Sequence, residues 1–472
     1  MAALCDKINR LRFPITIEPL VLLYTVSVGL NEVIRSNLII SKICLSKLNY
    51  NSTICDNLSE DNNTQYQDEV QKHVTDYESV YSSLAFIPRI LYGLLAGTWS
   101  DKHGRKPLLV LPMVGQLCAS LSYAFNYFFL ESLPWQLISL EFLNELAGTY
   151  VVYYMAEYTY IADITTEDSR TFRLSIVDGM DYVSTSVGTY ISGLLFLYGG
   201  YYAVFGSSAI CCILTLVILA VWVKESLPKP GKQGDDDKLN TDTGPNYGST
   251  KDLSETNGKT DNTTDQPSTL AQKNPREFPR KPILFLSIFS FACFIFTYNG
   301  TEGTHRYMYA QKKYGWNEQN FTQYLFHYRI AYMITLWIIS PVLTRLLNVP
   351  DPVINIVACA VSSVGYILPA VMANAKWFTI GSFICMFFPL TTITARSMLS
   401  RVVPAEEMGR IFSVLALFSA TSGSLVEAVF QKVYAASIDK FLGAYLLLNA
   451  GLVCATIPCS LAILALNKKL DK

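Results

Sequence analysis

Residues 97–107, GTWSDKHGRKP, crowd Asp101, Lys102, His103, Arg105 and Lys106 into one turn. On either side the chain is apolar for about 20 residues, the length that crosses ~30 Å of hydrocarbon as an α-helix rising ~1.5 Å per residue. A charged reversal between two such runs is the water-exposed link between two membrane spans. Gly104 permits the tight turn, and Pro107 suits the first turn of the next helix.

The same alternation extends along all 472 residues. Hydrophobic residues make up 51% and charged residues 16%, and the mean hydropathy of +0.27 lies outside the balance of a soluble domain. About twelve apolar runs of spanning length follow one another. They lie near 15–38, 79–100, 107–130, 135–160, 171–196, 201–223, 282–304, 322–345, 353–372, 377–398, 409–431 and 442–466. The expected fold is an all-α polytopic membrane protein of twelve transmembrane helices.

A net charge of −1 leaves no electrostatic footprint for a nucleic-acid partner. The cations are one-sided. Lys7, Arg10, Arg12, the Lys102–Lys106 turn, Arg170, Arg173, Lys224, Arg345, Arg401, Arg410, Lys468 and Lys469 precede odd-numbered spans or follow even-numbered ones. That bias sets both termini in the cytoplasm. The first outer loop, 39–78, then holds glycosylation acceptors at Asn51, Asn57 and Asn62, and the fourth outer loop holds Asn320. Of 11 cysteines, only Cys44 and Cys55 fall in that oxidising compartment, and a Cys44–Cys55 disulfide is expected.

Residues 224–281 are rich in Gly, Asn, Thr, Asp and Pro and nearly lack large apolar groups. Such a segment cannot bury enough surface to fold, so it reads as a disordered cytoplasmic linker. It separates two six-helix bundles, 1–223 and 282–472.

Charges inside the spans cost ~2.5–3.5 kcal/mol each at mid-bilayer and persist where they face protein or water. Spans 3, 6, 9 and 12 carry none. The others hold Glu32, Arg89, Glu141, Glu145, Glu157, Asp178 and Asp181 in the first half, and Glu302, His327, Arg329, Arg396 and Glu427 in the second. A period of three helices used four times is the mark of nested transporter repeats. EDSRTF at 167–172 and EMGRIF at 407–412 share a Glu-x-x-Arg-x-Phe spacing, a second trace of duplication.

The turn at Gly97, Asp101, Gly104, Arg105 and Lys106 resembles the Gly-x-x-x-Asp-x-x-Gly-Arg-Arg/Lys signature of the major facilitator superfamily. The resemblance implies two pseudo-symmetric bundles that rock about a central cavity, with these residues acting as a cytoplasmic gate. EPLV at 18–21, GTWSDKHGRKPLLVLP at 97–112, IADITTEDSRTFR at 161–173 and KES at 224–226 look like the proton-coupled folate transporter family, solute carrier family 46. That likeness runs along the whole chain outside the linker. It implies carriage of a bulky, often anionic organic solute such as a folate, a muropeptide or a cyclic dinucleotide. Asp178 then matches a proton-coupling glutamate and Arg396 an arginine linked to substrate and proton affinity. The sequence departs from the family at Asn299, in place of a seventh-span histidine, and at Thr149, in place of a fourth-span acid.

From the residues themselves, Arg89 lies about 16 Å along its helix from Ser100. It either receives an anionic group or forms a structural ion pair with Asp178 or Glu32. Glu141 and Glu145 stand one turn apart, and the repulsion between them favours protonating one; Glu145 is the reserve coupling residue and Glu141 is equally placed to reach the outer surface. Tyr150 and Tyr154 either stack a flat ring of the solute or pack between helices. Glu302 and Glu427 divide evenly between cavity and outer rim, and His327 and Arg329 between pH sensing and the interface.

The chain lacks a phosphate-binding Gly-x-x-x-x-Gly-Lys-Ser/Thr loop and metal-binding motifs, so no cofactor and no enzyme activity are expected. The expected partners are an organic, anionic solute, protons and the lipid bilayer, and a monomer suffices. The expected location is the plasma membrane, with the lysosomal membrane as the alternative. A proton-independent uniporter and a non-transporting receptor or scaffold are the competing functions.

Overall fold

A computed structural model describes residues 16–58, 60–131, 134–165, 167–226, 280–402 and 405–470. Residues 1–227 with 280–472 form one compact unit, and most of the expected linker, 227–279, lies outside the described residues.

The described secondary structure is helical throughout. In the first half the long helices are α1 (Glu18–Lys42), α2 (Thr64–His103), α3 (Arg105–Phe128), α4 (Thr149–Ile164) and α5 (Glu167–Val221). In the second they are α6 (Arg280–Thr301), α7 (Thr304–Tyr314), α8 (Glu318–Ile334), α9 (Asp351–Val371), α10 (Ala375–Ile384), α11 (Leu390–Val402), α12 (Ala405–Ser437), α13 (Ala444–Cys454) and α14 (Thr456–Leu470). Among the described residues, 8 helical stretches are long and apolar enough to cross a membrane. Adding α1, α4 and α12 and dividing α5 at Gly200, where the backbone leaves helical geometry at φ 62°, reproduces the expected order of spans. Span 1 falls short of that apolar threshold because Asn31, Glu32 and Arg35 interrupt it, and α4 because it is 16 residues long.

Local sequence accounts for the helix ends. Pro19 and Glu18 open α1, where a missing N–H and an acidic side chain both suit the first turn. The Asn317 side chain caps α8 by accepting from the Asn320 N–H at 2.9 Å, and Asn374 caps α10 in the same way from Lys376. Gly104, at φ 103°, turns α2 into α3.

Two expectations need correction. The segment 39–78 is not an open loop: after the short helix Ser52–Asp56, α2 begins at Thr64 and runs 40 residues, well past a membrane thickness. The fourth span is broken, with a 3₁₀ turn at Trp135–Glu141, a one-turn helix at Phe142–Leu146 and a reversal at Gly148 (φ 87°) before α4.

Pairs α2 with α12 and α5 with α8 join the two halves. One end of the assembly carries the Gly104 turn. The other carries the disulfide between Cys44 and Cys55 and the exposed Asn51, Asn57, Asn62 and Asn320. At this disulfide end the halves are sealed against each other. Val70 and Val74 of α2 share one buried cluster with Tyr307, Met308, Phe430 and Tyr434. Polar contacts follow the same line. Gln71 donates to the Met308 carbonyl at 3.2 Å, Tyr434 donates to Gln71 at 3.0 Å, and Lys72–Asp439, Lys432–Asp76 and Lys312–Asp68 pair across the seam.

Candidate functional site: a charged seam between the halves

Beneath that seal lies a cavity of about 210 Å³ bounded by α1, the α6–α7 link, α7, α8 and α12. Its charged lining comprises Glu32, Arg35, Glu302, Arg306 and Glu427. Arg329, from α8 in the second half, donates to Glu32 on α1 in the first half at 2.8 Å and to the Thr189 hydroxyl on α5 at 3.1 Å. Thr189 in turn donates to Glu32 at 2.9 Å. Glu302 lies 3.7 Å from Arg329 and 3.5 Å from Arg306. The Arg306 guanidinium sits over the Tyr324 and Tyr328 rings at 5.1 and 4.2 Å and donates to the Tyr324 hydroxyl at 2.7 Å. Arg35 is held between Glu78 (2.9 Å) and Glu141 (2.5 Å). Among the described residues, Glu427 is the acid of this lining without an ion pair.

Arg89 has its counter-ion in Glu145, at 2.6 and 2.9 Å, rather than in Glu32. Its guanidinium stands 4.9 Å from the Tyr150 ring and donates to Ser424 of α12, so this pair also touches the other half. Glu141 does not reach the outer surface: it is fully buried and accepts from Arg35, Tyr77 and Tyr123. Glu141 and Glu145 each face an arginine of their own, which offsets the repulsion expected between them. Glu302 lines the cavity, and Arg329 is a bridge between halves, while His327 is exposed. Tyr154 is partly exposed in a row with Tyr153 and Tyr158. The buried Tyr153 hydroxyl lies 3.3 Å from Glu157 and 3.2 Å from Asp181. Arg396 is exposed, 5.6 Å from the Phe291 ring, and has no carboxylate partner among the described residues. The Asp178 side chain lies outside the described residues.

At the Gly104 turn, Arg105 donates to Asp163 at 2.9 Å and to Ser100 at 2.9 Å. The Glu225 carboxylate accepts from the Arg105 and Lys106 backbone N–H groups at 2.7 and 3.2 Å, capping α3. A Cβ on Gly104 would come within 2.5 Å of Glu225 Oε2. Lys106 reaches the Ala220 carbonyl at 3.1 Å, and Gly97 packs near Met155. The Asp101 side chain lies outside the described residues. Glu18 of EPLV pairs with Arg173 of RTFR at 2.9 Å, tying two distant motifs together.

Sequence reasoning missed Arg35, Glu78 and Arg306. Arg35 stands one turn after Glu32 on α1, and Arg306 four residues after Glu302, spacings that place each beside the charge already singled out.

The family model of the Major Facilitator Superfamily matches residues 70–427. The chain belongs to the Major Facilitator Superfamily. Curated relatives are members of solute carrier family 46. The Drosophila melanogaster "Probable peptidoglycan muropeptide transporter SLC46" is 23% identical over 92% of this chain and 82% of its own length. The Rattus norvegicus "Lysosomal proton-coupled steroid conjugate and bile acid symporter SLC46A3" is 26% identical over 93% and 91%. The rat "Proton-coupled folate transporter" is 22% identical over 93% and 89%. Among solved structures, the human organic anion transporter MFSD10 matches at TM-score 0.58 and 12% identity over 94% of this chain and 97% of that one. The POT family transporter PepTSo matches at TM-score 0.57 and 11% identity over 96% of this chain and 98% of that one. This major facilitator is thus a multi-pass membrane transporter, and the curated relatives it resembles are transporters of solute carrier family 46 rather than enzymes.

Proposed function

We propose that the chain is a proton-coupled symporter of a bulky organic anion, working by alternating access between a glycosylated outer side at the disulfide end and the cytoplasm at the Gly104 end. The observation that carries the reading is the charged seam between the halves. Ionisable groups at membrane depth are expensive unless they serve a water-lined path or a proton relay. Here Glu32, Arg35, Glu302, Arg306 and Glu427 border one cavity where the two halves meet, and Arg329 joins Glu32 to Glu302 beside it. The three named relatives are carriers of muropeptides, steroid conjugates and bile acids, and folates, the last two groups coupled to protons by name, which supports an organic solute and a proton gradient.

In this reading Arg396, which has no carboxylate partner among the described residues, receives the anionic group, and Tyr150 and Tyr154 offer ring faces. Asp178 carries a proton, and the Gly97–Lys106 turn holds the cytoplasmic side. The cavity is smaller than the ~300–1,000 Å³ of ordinary ligand clefts, as suits a conformation whose outer side is shut. The experiment is uptake into proteoliposomes under an imposed pH gradient, with labelled folate, muropeptide, taurocholate and cyclic dinucleotide in parallel. Gradient-driven accumulation of one of them that Asp178→Asn abolishes and Arg396→Gln weakens supports the reading. Uptake indifferent to a proton ionophore favours a uniporter, and no exchange of any probe favours a scaffold.

A further inference from the structure

Several ion pairs cross the seam, and they differ in what happens when the halves part. Lys72–Asp439 and Lys432–Asp76 are already half exposed, so their charges return to water at little cost. Lys312–Asp68 is more covered, yet it belongs to the same rim, close to the end of α12. Glu32–Arg329 lies deeper. Glu32 is 14 residues into α1 from Glu18, ~21 Å along a helix axis.

The two members of this pair fare unequally on separation. Arg329 departs with α8 and keeps Glu302, which belongs to its own half. Glu32 keeps the Thr189 hydroxyl, a neutral partner. Among the described residues, the charged groups that face Glu32 from other elements are Glu302 from the α6–α7 link, Arg306 from α7, Arg329 from α8 and Glu427 from α12, all in the second half. On α1 itself Arg35 is taken by Glu78 and Glu141, both in the first half. Opening at the disulfide end therefore strips Glu32 of its cation, and no other cation of the first half stands beside it among the described residues.

We propose that Glu32 is a proton-binding site of the transport cycle, loaded from the disulfide-end side when the halves part there and emptied when Arg329 returns. The proton adds to a Glu32 carboxylate oxygen in the open state, replacing the guanidinium as the group that neutralises it. On reclosure Arg329 displaces that proton, which leaves through the cavity toward the side then open. Acid on the outer side thus favours opening, and each closure moves one proton inward. This inference rests on the proton-coupled reading above and names a carboxylate beyond Asp178 that performs it.

The test needs no solute. Nitroxide labels at Asn57 and Asn320, exposed positions on opposite halves at the disulfide end, report opening by pulsed electron resonance on the full-length protein in nanodiscs. If one proton is bound on opening, the ratio of open to closed protein rises up to about tenfold per pH unit of acidification. Glu32→Gln removes that slope, whereas Glu32→Asp, still titratable, retains it. A purely structural role predicts instead that Glu32→Gln shifts the open fraction equally at every pH, leaving the slope intact, and that result overturns the proposal. Arg329→Gln is the second variant: it frees Glu32 in both states, so the slope also collapses, and a preserved slope refutes the idea from the other side. A wild-type protein whose opening ignores pH while a pH gradient still drives uptake overturns the role of Glu32 and leaves proton coupling standing. Absence of gradient-driven uptake of every probe removes the coupling itself.

Discussion

Replacing Arg89 alone is expected to damage the fold more than replacing Arg89 and Glu145 together. The pair is nearly sealed from solvent, with side-chain exposures of 11% and 4%, and the guanidinium donates twice to the carboxylate. Arg89→Leu leaves a buried carboxylate with the Tyr81 hydroxyl, 3.3 Å away, as its remaining donor. Stranding one charge of such a pair costs about 3–5 kcal/mol, while exchanging both for apolar groups of similar volume is often neutral. Arg89→Leu should therefore lose about 3–5 kcal/mol, and Arg89→Leu with Glu145→Leu should return to within about 1 kcal/mol of the starting protein. Reversible unfolding of the purified protein in mixed micelles, followed by circular dichroism, measures both. A single substitution costing under about 1 kcal/mol, or a double one as unstable as the single, would refute the argument that the pair is held by mutual neutralisation.

Gly104→Ala is expected to cost about 1–3 kcal/mol and slow transport, since φ is 103° and the new methyl group would meet Glu225; initial uptake rate and stability measured together check this. Cys44→Ser should expose Cys55 to a maleimide without prior reduction, whereas the parent protein reacts at Cys55 only after reduction, read as a mass shift. Lys72 holds the Asp439 carboxyl below its ordinary range, so the pair is intact above about pH 4 and is lost only as pH falls below that. Asp439→Asn should accordingly leave the pH dependence of opening unchanged between about pH 5 and 7, measured with the same spin labels.

The helix order was legible because hydrocarbon imposes a length and an apolarity that few other structures share, and the Gly104 turn because its charges interrupt that pattern. The outer half of α2 was hidden by its own polarity: TQYQDEVQKHVTDYESVY reads as a loop by hydropathy. Its buried Val70 and Val74, with Tyr77 and Tyr81 continuing the helical spacing, were the available signal. Partners were harder to see than positions. Arg89 could be placed at mid-depth by counting residues, but its pairing with Glu145, 56 residues away on the broken fourth span, leaves no local sign. Arg329 could be found in the sequence, yet nothing local shows that its partner is 297 residues away on α1. The cap at Glu225 was visible as a motif and silent as a contact.

That cap bears on how the protein can be cut. Glu225 grips the start of α3, and Ser226 donates to Asp163 at 3.0 Å, so the chain leaving the sixth span is anchored before it departs. A pair of separately expressed halves divided after Ser226 carries its clasp along, whereas a division at Val221 amputates it and leaves the amino end of α3 bare.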